Sequence, residues 1–287
     1  RVVSSPSWAR RWSTCEPPPW TTTVEALRLD LAIAPQSVLH ASGCSIARSS
    51  RSASTVVVHG GGSQVDQRLA QLGLETTRVQ GLRVTPESHM GPIAGVLAGE
   101  VNASLVGVLR AAGADAVGAT VAHGGLLETR KLAHPDFDLG CVGEVVGGSP
   151  RLAQALAGAG FVPVLASIGC DAQGKLLNIN ADDAAAGVAT VLGAHRLVLL
   201  TDVEGVLDAT GMLVEELWHD KVEDLIASGV IEGGMAVKAR AGVRAALQTG
   251  AEVVIGDWRE AEGLLAGAGR GTRFLASTPA GDRAGIL

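Results

Sequence analysis

The sequence predicts an α/β protein built on a mainly parallel sheet with helices on both faces. Apolar strands alternate with helical segments along most of the 287 residues, and that alternation is typical of parallel sheets. The chain is 47% hydrophobic, with 38 glycines, three phenylalanines and no tyrosine. This composition indicates a core of small aliphatic side chains joined by tight turns, and it excludes a disordered chain.

Charge and cysteine content exclude several functional classes. The net charge of -6 leaves no broad cationic field for nucleic acid or an anionic membrane surface. No uninterrupted apolar run reaches the roughly 18 residues of a membrane-spanning helix. The four cysteines are scattered without metal-ligand spacing or a disulfide framework. We therefore expect a cytoplasmic protein that has neither a nucleic-acid nor a membrane partner.

Residues 1–54 differ from the rest of the chain. They contain one glycine and no lysine, and six arginines against three acidic residues give them a charge of +3, whereas the remainder carries -9. We interpret this segment as an anomalous N-terminal piece, either a tail or a mistranslated stretch, and residues 55–287 as the folded domain. Within the segment only residues 23–34 look folded, and their apolar residues mix helical and strand periods.

Regular elements begin at Thr55. The apolar strand 55–59 runs into three glycines, and a helix follows with Ser63 as its N-cap and Gly73 at its end. The pattern then predicts these elements in order: a helix at 93–112, a strand at 116–121, a hairpin-like polar segment through Arg130, Lys131 and Asp138, a helix at 150–157, a strand at 161–168, a helix at 184–192, a strand at 197–201, a helix at 235–248 and a strand at 252–255.

Unusual loops follow several of these strands, and ligands of parallel sheets bind at the carboxyl ends of strands. Gly60, Gly61 and Gly62 form either an anion-binding turn at a helix N-terminus or a plain tight turn. We predict that the neighbouring His59 is a packed strand-end residue. Arg83 lies between a turn glycine and a proline, where it either grips a carboxylate or is a solvated surface residue.

Three further loops carry polar groups. Asn178, Asn180 and Asp182 alternate and share one side if the segment is extended, although Asp182 or Asp183 alternatively caps the next helix. Lys238 is predicted in the first turn of a helix, where its charge is unfavourable unless an anionic ligand compensates it. Residues 201–207 form a polar turn that either borders a nucleotide or is an ordinary connection.

From Thr55 to about Thr272 the chain resembles the acetylglutamate kinases of the amino acid kinase family. Six segments in family order carry the resemblance, with Gly-Leu-Arg-Val-Thr the most specific of them: 58–62, 81–85, 140–145, 178–182, 201–207 and 233–238. The resemblance implies a three-layer αβα sandwich around the mainly parallel sheet. It also implies a lobe at 55–170 that binds acetylglutamate, a lobe at 171–287 that binds ATP, and a homo-oligomer that is a dimer or a hexamer.

The implied reaction transfers the γ-phosphoryl group of ATP to the side-chain carboxylate of N-acetyl-L-glutamate in arginine biosynthesis, with Mg²⁺ accompanying ATP and no tightly bound cofactor. Lys238 neutralises phosphate charge and Asp182 orients the lysines. The implied acetylglutamate-binding residues are Gly61, Gly62, Arg83 and Asn178. The implied ATP-binding residues are Asp202, Val203, Glu204, Gly205, Val206, Leu207, Val230, Ile231 and Glu232. No resident metal site is implied.

One departure from the family pattern stands out. The family's first strand ends in Lys-x-Gly-Gly, whereas the lysines of this chain are Lys131, Lys175, Lys221 and Lys238. We therefore expect the first central strand and its helix to be missing. This departure leaves two alternatives to the active kinase: a relative that binds acetylglutamate and nucleotide without turnover, and a kinase for an N-acetyl-aminoadipate-type acid.

Overall fold

The computed structural model describes residues 29–33, 54–79 and 81–275. The interpretation of residues 1–54 as a tail or mistranslated stretch therefore falls mostly outside the described residues.

The described residues form fourteen strands and eight α-helices. The strands are β1 Leu29–Ile33, β2 Ser54–His59, β3 Arg78–Val79, β4 Leu82–Arg83, β5 Ala116–Thr120, β6 Glu128–Lys131, β7 Val142–Gly147, β8 Val162–Ala166, β9 Ile168–Cys170, β10 Leu176–Ile179, β11 Arg196–Thr201, β12 Glu216–Trp218, β13 Glu252–Asp257 and β14 Thr272–Leu275. The helices are α1 Gly62–Gln71, α2 Glu87–Ala94, α3 Asn102–Ala111, α4 Arg151–Gly158, α5 Ala181–Leu192, α6 His219–Ala227, α7 Gly233–Thr249 and α8 Ala261–Ala266.

An eight-stranded sheet in the order β12-β14-β13-β11-β1-β2-β8-β5 forms the centre of the fold. The six strands from β13 to β5 run parallel. Only β14, antiparallel to β13, and its parallel neighbour β12 reverse the direction. A four-stranded sheet in the order β6-β7-β10-β9 and the small β3-β4 hairpin complete the strands. The predicted mainly parallel α/β sheet is confirmed.

The side chains of the central strands alternate between two cores on opposite faces of the sheet. Val56 and Val58 join the core beneath α1, α5 and α7, whereas Val57 joins a second core with residues of α3 and α8. The same alternation holds in β11, where Leu197 faces the first core and Val198 the second. Each face of a buried parallel strand needs an apolar cover. The result is the three-layer αβα sandwich.

Strand β1 lies at the centre of the large sheet, between β11 and β2. It pairs in parallel with both neighbours, with Leu29 opposite Ser54 and Ile33 opposite Val58. The expectation that the first central strand is missing is therefore wrong. The part of that expectation that concerns the following helix lies outside the described residues. After β1 the chain continues with Ala34 and Pro35 in place of Lys-x-Gly-Gly.

Several helix boundaries differ from the sequence prediction, and α5 and α7 begin three and two residues earlier than expected (181 against 184, 233 against 235). Helix α1 starts at Gly62 with Gly61 as its N-cap, so Ser63 lies inside the helix. The helix expected at 93–112 starts at Glu87 and contains a π-helical segment, Gly95–Val101, between α2 and α3. Pro92, which has no N–H to donate, lies three residues before that segment. The predicted helix therefore begins six residues early (87 against 93) and contains a distortion.

The stretch Glu87–Ala111 is long and apolar enough to cross a membrane by length and composition alone. Core helices of globular proteins have the same property. Within the described residues this stretch packs on β5, β8 and β10, and its residues Leu105 and Leu109 are fully buried. Its packing is that of a core helix.

Candidate active site

The triglycine loop lies at the carboxyl end of β2, where α1 begins. Gly61 caps the helix, and neither its N–H nor that of Gly62 has a hydrogen-bond acceptor among the described residues. A Cβ at Gly61 would lie 2.8 Å from Leu97 and 3.1 Å from Val101, both in the π-helical segment. A larger residue here would therefore require the Leu97 side chain to shift, and the loop presents free N–H donors at the positive end of a helix.

His59 is fully buried just before the glycines. Its Nδ1 lies 2.9 Å from the Gly60 carbonyl oxygen, and its Nε2 lies 2.9 Å from Nδ2 of Asn102. Burial lowers the pKa of His59, and the hydrogen bond with Gly60 offsets only part of that effect. The prediction of a packed strand-end histidine is confirmed.

Arg83 ends the β3-β4 hairpin and points toward the glycine loop. Its Nη2 donates to the Gly62 carbonyl oxygen at 3.0 Å, and its Nη1 donates to Asp66 and to Thr76. Its side chain is 9% exposed, so the solvated alternative is wrong. These bonds leave donors of the guanidinium, including Nε–H, without an acceptor in the described part of the chain, and a carboxylate ligand can accept from them.

Asp66 of α1 holds the Arg83 guanidinium and also accepts from Nη2 of Arg78 at 2.6 Å. Desolvation alone raises the pKa of Asp66, but the hydrogen bonds and charges of Arg83 and Arg78 outweigh it and lower that pKa to about 2. Asp66 is therefore ionised at neutral pH, and it fixes Arg83 against the first turns of α1.

Asn178 is held in β10 by Thr85, which is fully buried. Its Nδ2 donates to Thr85 Oγ1 at 3.1 Å, and Thr85 Oγ1 donates to the Arg83 carbonyl oxygen at 2.9 Å. Gly140 packs against the same segment at φ 69°, and a Cβ there would lie 2.2 Å from the Thr85 carbonyl oxygen. This clamp connects the predicted segments 81–85, 140–145 and 178–182 around one point.

A cavity of about 200 Å³ opens among these segments. The predicted substrate-binding residues Gly61, Gly62, Arg83 and Asn178 all line it. Other lining residues that carry polar groups or contact the loop are Gly60, Arg78, Leu97, Ser167, Asn180 and Ala181. Residues that lie as many as 121 positions apart in the sequence (60 to 181) thus surround one small space.

Asn180, rather than an aspartate, caps α5. Its Oδ1 accepts from the backbone N–H groups of Asp182 and Asp183 at 2.9 and 3.2 Å. The proposed capping by either aspartate is therefore wrong. Because the helix starts at Ala181, Asp182 leaves the extended run, and only Asn178 and Asn180 face the cavity together.

Lys238 is half-buried in α7, outside the residues that line the cavity. It is the sixth residue of α7, so its predicted position in the first turn is wrong. Burial raises the pKa of Asp182, and the charges of Lys238 and Arg244 partly offset that rise. Lys238 and Asp182 thus interact through their charges, although the described residues show no hydrogen bond between the two side chains.

The predicted nucleotide loop follows β11 as an exposed turn. Asp202, Val203, Glu204 and Leu207 are exposed. Val206 is fully buried, and its N–H donates to Thr272 Oγ1 at 2.8 Å. The buried half anchors the loop to β14 and leaves the other half open to solvent.

Residues 230–232 connect α6 to α7. Ile231 is 2% exposed and belongs to the core, Val230 is partly buried, and Glu232 is the exposed N-cap residue of α7. The connection therefore fixes the start of the helix that carries Lys238.

Sequence reasoning missed two residues that build this site: Asp66 holds Arg83, and Asn102 bonds to His59. Asn180 was noted together with Asn178 because the two alternate, although not as a binding residue, and it lines the cavity. Asp66 and Asn102 carry no local signal, since their roles depend on tertiary contacts.

Within the described ranges no group of three His, Cys, Asp or Glu side chains is arranged to hold a metal ion.

Comparisons with known proteins agree with this geometry. The pattern of the amino acid kinase family matches residues 43–257, which begins earlier and ends earlier than the resemblance seen in the sequence. The acetylglutamate kinase of Vibrio vulnificus strain YJ016 is 45% identical over 223 residues, covering 77% of this chain and 83% of that protein. The acetylglutamate kinase of Aeromonas salmonicida strain A449 is 46% identical over 210 residues, covering 73% and 80%.

A solved structure extends the similarity to the fold. The smu.665 protein from Streptococcus mutans UA159 superposes with a TM-score of 0.75 at 27% identity. The match covers 87% of this chain and 99% of that one.

Proposed function

Because the chain belongs to the acetylglutamate kinases of the amino acid kinase family, we propose that it phosphorylates the side-chain carboxylate of N-acetyl-L-glutamate with ATP. The product is the acyl phosphate N-acetyl-L-glutamyl 5-phosphate, and the reaction belongs to arginine biosynthesis. Mg²⁺ enters the site with ATP as part of that substrate.

One observation carries the proposal: the cavity joins free N–H donors to a guanidinium and an amide. Gly61 and Gly62 offer N–H groups suited to an anionic phosphoryl group, and Arg83 offers a bidentate donor suited to a carboxylate. Asn178 adds a neutral amide beside them. A small amino acid derivative with two carboxylates and an acetamido group matches this set of donors and acceptors.

The reaction requires the protein mainly to position the carboxylate and ATP and to neutralise charge on the phosphates. A carboxylate oxygen of the substrate attacks the γ-phosphorus of ATP and forms the new P–O bond. The bond between that phosphorus and the β–γ bridging oxygen breaks, and ADP leaves with the electron pair. No proton is transferred, so no general base is required.

We assign roles to the named residues on this basis. Arg83 and Asn178 hold acetylglutamate, and the N–H groups of Gly61 and Gly62 face the transferred phosphoryl group. Lys238 neutralises charge on the nucleotide phosphates, and Asp182 orients Lys238. The ATP-binding segments are 202–207 and 230–232.

We also assign each substrate to one part of the chain, and we assign the enzyme a compartment and an oligomeric state. Residues 55–170 carry most of the acetylglutamate site, and residues 171–287 carry the ATP site. The enzyme works in the cytoplasm as a homo-oligomer.

A hydroxamate assay tests the proposal. The full chain is incubated with ATP, Mg²⁺, acetylglutamate and hydroxylamine, which traps an acyl phosphate as a coloured hydroxamate. We expect product with acetylglutamate and far less with N-acetyl-aminoadipate, since one additional methylene changes the specificity by about 10- to 200-fold. Product only with the longer acid would reassign the substrate, and no product at millimolar concentrations of either acid would contradict the kinase.

A second function, binding without turnover, is favoured by one sequence observation. No lysine precedes Lys131, so the lysine of the family's Lys-x-Gly-Gly motif has no counterpart in this sequence. Titration calorimetry with acetylglutamate distinguishes this function, because binding that persists in a chain with no hydroxamate product indicates a binding protein.

A further inference from the structure

Two buried polar side chains, here called the relay, connect the triglycine loop to helix α3. The relay consists of His59 at the end of β2 and Asn102 at the first position of α3, both nearly or fully buried. His59 contacts the Gly60 carbonyl oxygen at one ring nitrogen and Asn102 at the other. Buried polar side chains in a core of this kind require all their hydrogen bonds to be satisfied.

The partners of Asn102 determine which nitrogen of His59 carries the proton. Nδ2 of Asn102 lies 2.9 Å from the Val164 carbonyl oxygen of β8 and 3.4 Å from that of Ala119 of β5. Carbonyl oxygens only accept, so this atom is the amide nitrogen, and its second hydrogen points to Nε2 of His59. Nε2 is therefore an acceptor. In the neutral ring the proton then lies on Nδ1, which donates to Gly60.

The Gly60 carbonyl and the Gly61 N–H belong to the same peptide unit. In a trans peptide these groups point in opposite directions, so the bond from His59 to the carbonyl also fixes the direction of the Gly61 N–H. The neighbouring peptides are held, since the His59 carbonyl oxygen accepts from the Ser167 N–H at 3.2 Å and the Gly61 carbonyl oxygen accepts from the Val65 N–H at 2.9 Å. The rotation of the Gly60–Gly61 peptide plane between them remains free, because glycine has the widest conformational freedom of any residue. Leu97 and Val101 of the π-helical segment press on Gly61 from one side without fixing the rotation of the peptide plane.

We propose that His59 is a positioning residue that is held by Asn102. It orients the Gly60–Gly61 peptide so that the Gly61 N–H points at the phosphoryl group that is being transferred. This inference rests on the proposed kinase function. Preorganised donors stabilise a transition state because they need no reorientation during the reaction, and a free glycine peptide lacks that property.

The absence of a side chain at Gly118 leaves the space that the Asn102 side chain occupies. A Cβ at Gly118 would lie 2.0 Å from Oδ1 of Asn102. The glycine of β5 therefore allows Asn102 to reach between the strands, where its amide meets β8 and His59. The relay thus depends on α3, β2, β5 and β8 together.

Two substitutions at the same position separate orientation from mere packing. In His59→Asn, the Asn Nδ2 occupies the place of the ring Nδ1 and donates to Gly60. In His59→Gln, the side chain reaches Asn102 but loses the donor to Gly60. We expect His59→Gln to lower kcat roughly 100-fold, as for loss of one oxyanion-type donor. His59→Asn should keep kcat within about fivefold, and the KM for acetylglutamate should stay within about threefold in both variants.

Crystal structures of the two variants test the mechanism independently of turnover. We expect a rotated or disordered Gly60–Gly61 peptide in His59→Gln and the native peptide in His59→Asn. An unrotated, ordered peptide in His59→Gln, or equal kcat values in the two variants, would overturn the proposal. If the unmodified chain makes no acyl phosphate, the proposed function fails, and the crystal structures still decide the role of His59.

Nitrogen NMR of the unmodified chain provides a measurement that needs no folded variant. The chain has seven histidines, so a ¹⁵N-histidine spectrum is small enough to assign. At pH 8 we expect the neutral ring of His59 to carry its proton on Nδ1. A proton on Nε2 would contradict the relay.

Discussion

The two sides of the site differ in how fully their polar groups are held. On the cavity side, Arg83 donates to three acceptors, and Asn178 donates to the buried Thr85. On the α7 side, Lys238 has no hydrogen bond or ion pair within the described residues, and Asp202 and Glu204 are exposed. The first region is assembled before ligand arrives, whereas in the second the ammonium group of Lys238 has no direct partner among the described residues.

This difference matches the ligands proposed for each side. A small carboxylic acid gains affinity from preorganised donors, because they lose little entropy on binding. A polyphosphate carries its own counter-charge into the site, so a free lysine gains its partner only when ATP binds. The carboxylates agree with this interpretation, since the pKa of Asp66 is lowered by two arginines, while burial raises that of Asp182.

Removing the charge of Lys238 is expected to have the largest effect on kcat. Lys238→Gln should lower kcat about 100- to 1,000-fold, or about 3 to 4 kcal/mol, because charge on the moving phosphoryl group loses a stabilising cation. The KM for acetylglutamate should hardly change. Steady-state hydroxamate kinetics measure both values.

Lys221→Gln is the matched control for this prediction. Lys221 is a half-exposed lysine of the neighbouring helix α6, 3.9 Å from Asp224, and its removal should leave kcat within about twofold. A fall of less than fivefold in Lys238→Gln would refute the role of that lysine.

Removing the main donor of the cavity side should change substrate binding instead. Arg83→Ala should raise the KM for acetylglutamate about 100-fold, since each hydrogen bond to a charged group contributes about 1.5 to 3 kcal/mol. Arg68→Ala is the control, because Arg68 of the neighbouring helix α1 pairs with Glu100, is about 40% exposed and does not line the cavity. Substrate titrations of both variants provide the comparison, and equal KM values would contradict it.

Asp182 connects the two regions and gives the third prediction. Its raised pKa means that the ionised form is unfavourable in the fold. Asp182→Asn should therefore raise the melting temperature at pH 8, and it should lower kcat roughly tenfold or more because Lys238 loses its charged partner. The gain in stability should disappear as the pH falls through the raised pKa and the native carboxyl takes up its proton.

Asp183→Asn is the control for Asp182. Asp183 also has a raised pKa, caused first by burial, but it makes an ion pair with Arg244 at 2.8 Å. Its substitution should leave kcat unchanged and should not stabilise the protein. Parallel behaviour of the two variants would show that Asp182 has no special connection with Lys238.

Local signals account for what the sequence could predict. The strand-glycine-helix unit at 54–71 contains an apolar run, a turn and a helical period in sequence, and each is visible without tertiary structure. Strand β1 gave no such signal, because its short apolar stretch fits two periods and pairing with β11 and β2 selects the extended form.

The residues of the site also divide into those that the sequence identified and those that only the tertiary structure reveals. Arg83 and Asn178 were identified by their resemblance to family segments, and they do line one cavity. The residues that hold the site together were not identified. Asp66 and Asn102 lie 17 and 43 residues from their partners Arg83 and His59, so only the packing of separate elements brings them together.

The smallest expected effect concerns Asp66 and its two arginines. A carboxyl whose pKa falls from 3.8 to about 2 on folding contributes stability that is complete above its unfolded value and disappears as the pH drops from about 4 to 2. The side chain is 36% exposed, so solvent screening reduces this contribution to about 1 kcal/mol. Asp66→Asn should therefore lower the free energy of unfolding by about that amount at pH 6. Urea denaturation at pH 6, 4 and 3 should show the difference from the unmodified chain shrinking as the pH falls. A difference that is constant across this range would indicate that Asp66 acts through shape and hydrogen bonding, so that the charges on the cavity side would not be what holds Arg83 in place.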